Sequence, residues 1–183
     1  MVRRSLSNVL VFVIRRFSWI GVVVLLASCQ NQNYVTPAAD PLGNNLNSIH
    51  SEKNPRLSDD GRFLVFASDR RQQRRIFLYD LSQRKLLPLP GLHQPNVFYD
   101  QPDISRNGRY LVYTSEQEGK TNVYLYDRTS FQSQNLTRTY VGQVRNPTVS
   151  GDGRWIAFEG DRTGQWDIEV IDRGVQADIL EGE

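Results

Sequence analysis

The sequence contains few of the residues from which metal centres and disulfide scaffolds are built. Its 183 residues include one cysteine, Cys29, and two histidines, His50 and His93. A single cysteine excludes an intramolecular disulfide and a zinc site with several thiolates. We therefore expect no metal and no cofactor, and a fold whose stability comes from packing alone.

Fingerprints of the common enzyme classes are also missing. The sequence has no G-x-S-x-G nucleophile elbow, no phosphate-binding loop and no glycine pattern for a dinucleotide. The two histidines lie in unrelated segments and do not suggest a base or a ligand pair. We therefore expect a protein that is not an enzyme.

An excess of positive charge is lacking once the N-terminus is set aside. The formal charge is +2, from 22 basic and 20 acidic residues, but Arg3, Arg4, Arg15 and Arg16 are the only charged residues before position 29. Without these four, 22 − 4 leaves 18 basic residues against 20 acidic ones, a balance of −2. Such a near-neutral chain is not typical of a nucleic-acid-binding protein.

Residues 1–28 are typical of an export signal. A basic region from Arg3 to Arg16 precedes an apolar core from Phe17 to Ala27. A membrane-spanning helix is the alternative, but it needs roughly 18 uncharged apolar residues, and Arg15-Arg16 interrupts the run. Leu26-Ala27-Ser28-Cys29 resembles the lipobox of bacterial lipoproteins. That resemblance implies that Cys29 is lipidated and becomes the mature N-terminus.

Residues 29–53 are interpreted as a flexible tether. The segment is rich in Asn, Gln and Pro and has almost no periodic apolar pattern. Gln30 follows the predicted lipidated cysteine, where enterobacterial lipoproteins of the inner membrane tend to carry Asp. We therefore expect an exported protein held in the lipid bilayer through Cys29, on the periplasmic face of the outer membrane if the source has two membranes.

Residues 54–183 contain one pattern three times. The copies begin 47 and then 45 residues apart, which gives repeats at 55–101, 102–146 and 147–183. A period of about 45 residues predicts stacked supersecondary units. A proline, a serine, a glycine and an aspartate recur at equivalent positions of each copy: Pro55, Ser58, Gly61 and Asp80; Pro102, Ser105, Gly108 and Asp127; Pro147, Ser150, Gly153 and Asp172.

Each repeat predicts antiparallel strands. The Asp-Gly or Asn-Gly pair in each copy tolerates positive φ, as tight hairpin turns require. The strand after the turn is apolar on consecutive residues, as in Phe63 to Phe66, so both faces of each sheet are expected to be covered. A third strand ends at the repeated aspartate, and a fourth segment follows, last at Ala177 to Leu180. The prediction is an all-β fold of three antiparallel four-stranded propeller blades.

The repeated core resembles the WD40-like (PD40) repeat of TolB-type β-propellers. The shared pattern is P-x-hydrophobic-S-x-D/N-G-R-aromatic-aliphatic, and it covers Pro55 to about Leu180. Such propellers have about six blades and often a preceding α/β domain, so three repeats imply a partial propeller. The proline of the family's S-P-D-G turn is replaced by Asp59, Arg106 and Gly151. The resemblance implies protein–protein interaction in a setting similar to the Tol–Pal envelope system.

The repeated polar residues are open to two interpretations. Asp80, Asp127 and Asp172 could converge on a cation, but recurrence in every repeat favours turn capping, and the same holds for Arg62, Arg109, Arg154 and the turn serines. The basic cluster Arg70 to Arg75 could touch anionic headgroups or an acidic partner, although a solvated hairpin loop is favoured. His50 and His93 are expected in solvated loops.

Three functions remain open at this point. The first is a non-catalytic, lipid-anchored module whose blades bind envelope proteins. The second is an accessory or degenerate propeller of a hydrolase or peptidase system that docks or gates a catalytic partner. The third is a structural piece that completes another propeller.

The number of repeats predicts exposed sheet faces. Propellers typically have four to eight blades, so three do not close a ring. The first and last blades should each keep one unpaired face, with apolar side chains from Phe63 to Phe66 and from Trp155 to Phe158. Such patches usually mark interfaces. A homodimer that completes a six-bladed ring, or docking onto another chain's blades, would cover them.

Overall fold

The computed structural model describes residues 35–174, which form three antiparallel β-sheets and no helix. Each sheet pairs its strands in chain order. Sheet 1 contains β1 (Glu52–Leu57), β2 (Phe63–Ser68), β3 (Arg75–Asp80) and β4 (Lys85–Leu87). Sheet 2 contains β5 (Tyr99–Ile104), β6 (Tyr110–Ser115), β7 (Asn122–Asp127) and β8 (Gln132–Asn135). Sheet 3 contains β9 (Val144–Val149), β10 (Trp155–Gly160) and β11 (Asp167–Asp172).

The all-β, antiparallel architecture is therefore confirmed for the described residues, with sheets of four, four and three strands. The fourth strand expected at Ala177 to Leu180 lies outside them, as do the export signal and Cys29. The chain divides into the units Met1–Thr36 and Pro37–Glu183, and the three sheets belong to the second. Between residues 35 and 174, no helix has the length and apolarity to cross a membrane.

The repeated turn between the first two strands of each sheet is held by its own polar side chains. In sheet 1, Ser58 Oγ accepts a hydrogen bond from Phe63 N at 2.9 Å, and Asp60 Oδ1 accepts one from Arg62 N at 2.9 Å. Gly61, Gly108 and Gly153 have φ of 70°, 73° and 73°. The positive φ expected at these glycines is thus observed, and it lets the chain reverse without steric cost.

The core consists of two layers, one between sheets 1 and 2 and one between sheets 2 and 3. Alternate residues of each strand point to opposite faces, so sheet 2 is buried on both sides. The first layer includes Phe63, Val65, Ile76 and Leu78 packed on Leu111, Tyr113, Tyr124 and Tyr126. The second includes Tyr110, Val112, Val123 and Leu125 packed on Ile156 and Phe158. Each large side chain buried here contributes on the order of 1.5–3 kcal/mol.

The outer face of sheet 1 is covered, and the expectation that it lacks a neighbour is wrong. Phe66 and Tyr79 on this face are 2% and 3% exposed. The cover is the loop Asp40–Ser48, in which Asp40 pairs with Ser48 and Tyr79 donates a hydrogen bond to Asn45 at 3.4 Å. The structure thus differs from a flexible tether that extends to residue 53. The polar composition of this loop hid its packing, because three of its backbone carbonyl groups accept hydrogen bonds from the buried Arg70.

Candidate functional site

Consecutive sheets are joined by a contact that we call the arginine clasp. An aromatic residue at the start of the second strand of one sheet lies against the turn glycine of the next sheet. An arginine from that next sheet covers the ring and donates a hydrogen bond to the carbonyl of the same glycine. The clasp therefore needs three residues: an aromatic residue from one sheet, and a glycine and an arginine from the following sheet.

The first clasp joins sheets 1 and 2 through Phe63, Gly108 and Arg128. The guanidinium carbon of Arg128 lies 5.0 Å from the ring centroid of Phe63, and Arg62 lies 4.7 Å from it. Arg128 Nη1 donates a hydrogen bond to Gly108 O at 2.8 Å. A Cβ atom at position 108 would overlap the Phe63 ring, so only glycine fits there. Burial in the clasp lowers the pKa of Arg128.

The second clasp joins sheets 2 and 3 through Tyr110, Gly153 and Arg173. The guanidinium carbon of Arg173 lies 4.5 Å from the ring centroid of Tyr110, and Arg109 lies 4.8 Å from it. Arg173 Nη1 donates to Gly153 O at 2.6 Å, and a Cβ atom at position 153 would overlap the Tyr110 ring. The geometry of the first clasp is thus repeated at the equivalent positions.

The third aromatic residue, Trp155, has only half of this environment. Arg154 of its own sheet lies 4.6 Å from the ring centroid, as Arg62 and Arg109 do for their neighbours. No following sheet is described that could supply the glycine and the second arginine, and Trp155 is 44% exposed, compared with 5% for Phe63 and 3% for Tyr110. Trp155 therefore marks a clasp that residues 35–174 do not complete.

The sheet face that carries Trp155 is exposed, whereas the equivalent faces of sheets 1 and 2 are buried. We call the surface formed by Trp155, Ala157, Glu159, Ile168, Val170 and Asp172 the open face of sheet 3. Ile168 is 71% exposed and Val170 58%, whereas the equivalent Ile76 and Leu78 of sheet 1 are 1% and 0% exposed. The open face thus carries the apolar residue types of a buried inter-sheet layer, and the expectation of an unpaired face on the last repeat is met within the described residues.

The repeated aspartates lie at the end of the third strand of each sheet, where each one pairs with the arginine of its own turn. The ion pairs are Arg62–Asp80 at 3.1 Å, Arg109–Asp127 at 3.2 Å and Arg154–Asp172 at 2.7 Å. Each aspartate also accepts backbone N–H groups of the turn that follows, as Asp80 does from Ser82 and Gln83. The Ser82 hydroxyl, together with these N–H groups and Arg62, lowers the pKa of Asp80 to about 2.

These aspartates do not converge on a common point that could hold a cation. Residues 35–174 contain no group of three or more His, Cys, Asp or Glu residues that could bind a metal ion. Ser58, Ser105 and Ser150 each donate their hydroxyl to the carboxylate or amide oxygen two residues on and accept a backbone N–H of the same turn. Turn geometry accounts for these repeated residues.

Two of the expectations for polar loops are wrong. Arg70 is not solvated: its side chain is 1% exposed and pairs with Glu52 at 2.9 Å. Arg74 joins Asp69 at 3.0 Å to Asp100 of sheet 2 at 2.7 Å. His93 is half-buried, because its ring packs edge-on against Tyr99 at 5.1 Å and its Nε2 accepts a hydrogen bond from Ile76 N at 3.2 Å. His50 is exposed, as expected.

Sequence reasoning missed a second set of equivalent residues on the first strand of each sheet. Asn54, Gln101 and Asn146, each directly before a repeated proline, have φ of 52°, 51° and 50°. The register of β1, β5 and β9 shifts at these positions, which makes each a β-bulge. Together with their prolines they line a shallow cavity between the strands. The sequence feature that could have revealed these bulges is the Asn or Gln before each repeated proline, since Asn adopts positive φ more readily than most residues.

Solved structures of known proteins share this arrangement of sheets. TolB from Acinetobacter baumannii matches 71% of this chain with a TM-score of 0.58 at 22% identity, over 32% of its own length. A putative TolB from Agrobacterium tumefaciens matches 68% of the chain with a TM-score of 0.54 at 22% identity, over 43% of its own length. A puromycin-hydrolyzing peptidase of Mycobacterium tuberculosis matches 69% with a TM-score of 0.52 at 16% identity, over 20% of its own length.

These similarities identify the fold class as a β-propeller. Within that class the fold is TolB-like, as the repeated motifs indicated. The chain spans less than half the length of the TolB structures that it matches. No protein-family model and no curated protein matches the sequence.

Proposed function

We propose that the protein is a non-catalytic, lipid-anchored envelope protein whose three propeller blades bind other proteins. The observation that carries this proposal is the open face of sheet 3. Ile168 and Val170 are more than half exposed there, at positions where sheets 1 and 2 bury their side chains. Contiguous exposed apolar surface usually marks a binding site. The similarity to TolB supports an envelope location, and the lipobox-like sequence at Cys29 supports the anchor.

The anchoring half of the proposal is tested by Cys29→Ser. We expect the wild-type chain to be recovered from membranes without residues 1–28 and with the mass of lipid on Cys29. The variant should remain a larger, unprocessed precursor. An unmodified thiol in the intact mass of the wild-type protein from native membranes would contradict the anchor. The rest of the proposal would stand, because the open face does not depend on it.

The binding half is tested by crosslinking the full chain in intact cells. Ile168→Glu with Val170→Glu places charge on the open face without changing a buried residue, so the chain should stay folded and lose its crosslinked partner. The matched control is Val35→Glu with Leu42→Glu, two exposed residues outside the sheets. A crosslinking pattern that is equal in both variants would contradict binding through this face.

An accessory propeller of a peptidase system is the second candidate. It is favoured by the similarity to the puromycin-hydrolyzing peptidase, which is a likeness of fold. Residues 35–174 contain no cluster of His, Cys, Asp or Glu residues for a catalytic metal, and the sequence lacks the fingerprints of the common enzyme classes, so we assign the catalysis to a partner. Peptidase activity that copurifies with the wild-type chain and is lost with the Ile168→Glu, Val170→Glu variant would favour this candidate over the first.

A further inference from the structure

The proposed function does not explain the incomplete clasp at Trp155, which has, within residues 35–174, the arginine of its own sheet but not the glycine and second arginine of a following sheet. We infer that the open face of sheet 3 takes a propeller blade from outside residues 1–183, and that this blade supplies a turn glycine and an arginine to the ring of Trp155. The inference rests on the proposed binding function and specifies its partner. The partner chemistry follows from the two complete clasps in the same chain.

The three sheets have equivalent faces. Each sheet has a downstream face, which points toward the next sheet, and an upstream face, which points toward the previous one. On the downstream faces of sheets 1 and 2, Phe63 and Tyr110 start the apolar layer. On sheet 3, Trp155 holds the same position. The open face of sheet 3 is therefore a downstream face, and a downstream face packs against the upstream face of a blade in both examples within this chain.

The polar contacts between consecutive sheets specify two residues that the partner blade must carry. Arg128 and Arg173 directly follow the aspartate that ends the third strand of the next sheet, and both hydrogen-bond to the turn glycine of their own sheet. The partner blade must therefore carry glycine in its turn and arginine after its third strand. Since Arg154 already lies on one face of the Trp155 ring, the partner arginine would complete a ring covered by two cations.

A second copy of this chain does not meet that requirement. The only upstream face that a second copy could offer is that of sheet 1, because those of sheets 2 and 3 are packed within the described chain. In sheet 1, Leu81 follows the aspartate where an arginine is needed. The loop Asp40–Ser48 also covers this face, and the Arg70 guanidinium holds the loop through three backbone carbonyls. The six-bladed homodimer would have to displace that loop.

A lipid surface does not fit the open face either. Asp172 and Glu159 lie on it beside the apolar residues, and both are paired to arginines at 2.7 Å and 2.6 Å. At the same aspartate position of sheet 1, Asp80 is completely buried and pairs with Arg62, whose side chain is half exposed at the edge of the inter-sheet layer. An aspartate–arginine pair at the end of an apolar strand face is thus a feature of the inter-sheet layers in this fold.

The inference is tested with a photocrosslinking amino acid at position 168 of the full chain, expressed in its native cells. Ile168 lies in the middle of the open face, and Phe131, an exposed residue on the hairpin of sheet 2, serves as the control position. We expect position 168 to crosslink at least tenfold more than position 131. The crosslinked peptide should map to an upstream strand or a Gly-containing turn of a propeller blade whose sequence lies outside residues 1–183.

Two variants distinguish binding through the clasp from non-specific hydrophobic association. Trp155→Ala should reduce the crosslink at position 168 at least tenfold, whereas Phe98→Ala, which removes an exposed aromatic residue before β5, should leave it unchanged. Thermal melting of both variants checks that neither has unfolded. In the identified partner, replacing the arginine after the third strand with methionine should weaken binding at least tenfold, and replacing a neighbouring exposed arginine should not.

A crosslink to a second copy of this chain, to lipid, to residues 175–183 or to a protein without a propeller blade would overturn the inference. So would a crosslink at position 168 no stronger than that at position 131. In that last case, a partner that is still captured through other positions would leave the proposed binding function standing. Loss of every partner would remove both.

Discussion

Gly108 lies directly against the ring of Phe63, so closely that a side chain of even one carbon at position 108 would overlap the ring. Gly61, at the equivalent position of sheet 1, has nothing within 4 Å of the same point. The backbones are alike, with φ of 73° at Gly108 and 70° at Gly61. The two glycines therefore carry the same conformational requirement, and only Gly108 carries a packing requirement as well.

This pair gives the first prediction. Gly61→Ala should lower the free energy of unfolding by about 1–2 kcal/mol, the cost of an L residue at positive φ. Gly108→Ala should cost about 1–3 kcal/mol more, because the added methyl group also displaces Phe63 from the arginine clasp. Urea unfolding of both variants measures the difference. Equal losses at the two positions would show that Phe63 does not pack on Gly108.

The second prediction concerns the arginine of the same clasp. Arg128→Met keeps most of the aliphatic packing but removes the cation over Phe63 and the hydrogen bond to Gly108 O. We expect a loss of about 1–3 kcal/mol in the free energy of unfolding, from a desolvated cation–π contact and one hydrogen bond. Arg71→Met, at an exposed position, is the control and should change stability by less than about 0.5 kcal/mol.

His93 makes the stability of the protein depend on pH. Burial and the nearby charge of Arg75 lower the pKa of His93 to about 4 in the folded protein, against about 6.5 in the unfolded chain. The unfolded state then binds more protons as the pH falls from about 6.5 toward 4, so stability decreases over that window. We expect the free energy of unfolding to fall by about 1–2 kcal/mol between pH 7 and pH 5, as measured by urea titration.

Two variants check that His93 is the source. His93→Gln keeps an acceptor for the N–H of Ile76 and removes the titration, so its stability should be nearly constant between pH 7 and pH 5. His50→Gln changes an exposed histidine and should retain the slope of the parent. Asp80 and Asp172, each with a pKa of about 2 in the folded protein, remain ionised there between pH 7 and pH 5. If the free energy of unfolding of His93→Gln still fell between pH 7 and pH 5, a group other than His93 would be responsible.

Much of the fold could be predicted because the sequence repeats. The turn Ser58-Asp59-Asp60-Gly61 and the apolar run after it have a local cause, so their recurrence at Ser105 and Ser150 predicted the hairpins and the stacked sheets. The open face followed from counting repeats, because a downstream face without a next sheet stays exposed. These features arise from short-range interactions within one repeat, and the repeat of about 45 residues reproduces them along the chain.

The features that could not be predicted depend on contacts distant in sequence. The arginine clasp joins Phe63 to Arg128, 65 positions apart, and arginine follows the aspartate in only two of the three repeats. Arg70 belongs to a run of four arginines and two glutamines that resembles a solvated loop, and nothing local marks it as buried. Loop Asp40–Ser48 has almost no apolar side chains in a periodic arrangement. Arg70 holds this loop on sheet 1 through three backbone carbonyl groups, and because every residue has a carbonyl group the sequence does not mark these contacts.

Arg70 gives the last prediction, because it holds the cover of sheet 1 in place. Its guanidinium donates to the carbonyls of Gly43, Asn45 and Leu46 and to Glu52, and it lies 4.6 Å from the ring centroid of Phe77. Arg70→Lys keeps the charge but not the planar fork of donors, so most of these carbonyl contacts are lost. We expect a loss of about 2–4 kcal/mol in the free energy of unfolding, with rapid proteolysis within residues 40–48.

Arg71→Lys is the matched control, since Arg71 is the exposed neighbour in the same loop. It should leave both the unfolding free energy and the cleavage rate unchanged. Release of the loop would expose Phe66 and Tyr79, so Arg70→Lys should also self-associate more strongly at micromolar concentration, as measured by light scattering. An Arg70→Lys variant as stable and as protease-resistant as the parent would mean that the loop is held by contacts other than this guanidinium. The upstream face of sheet 1 would then stay closed without it.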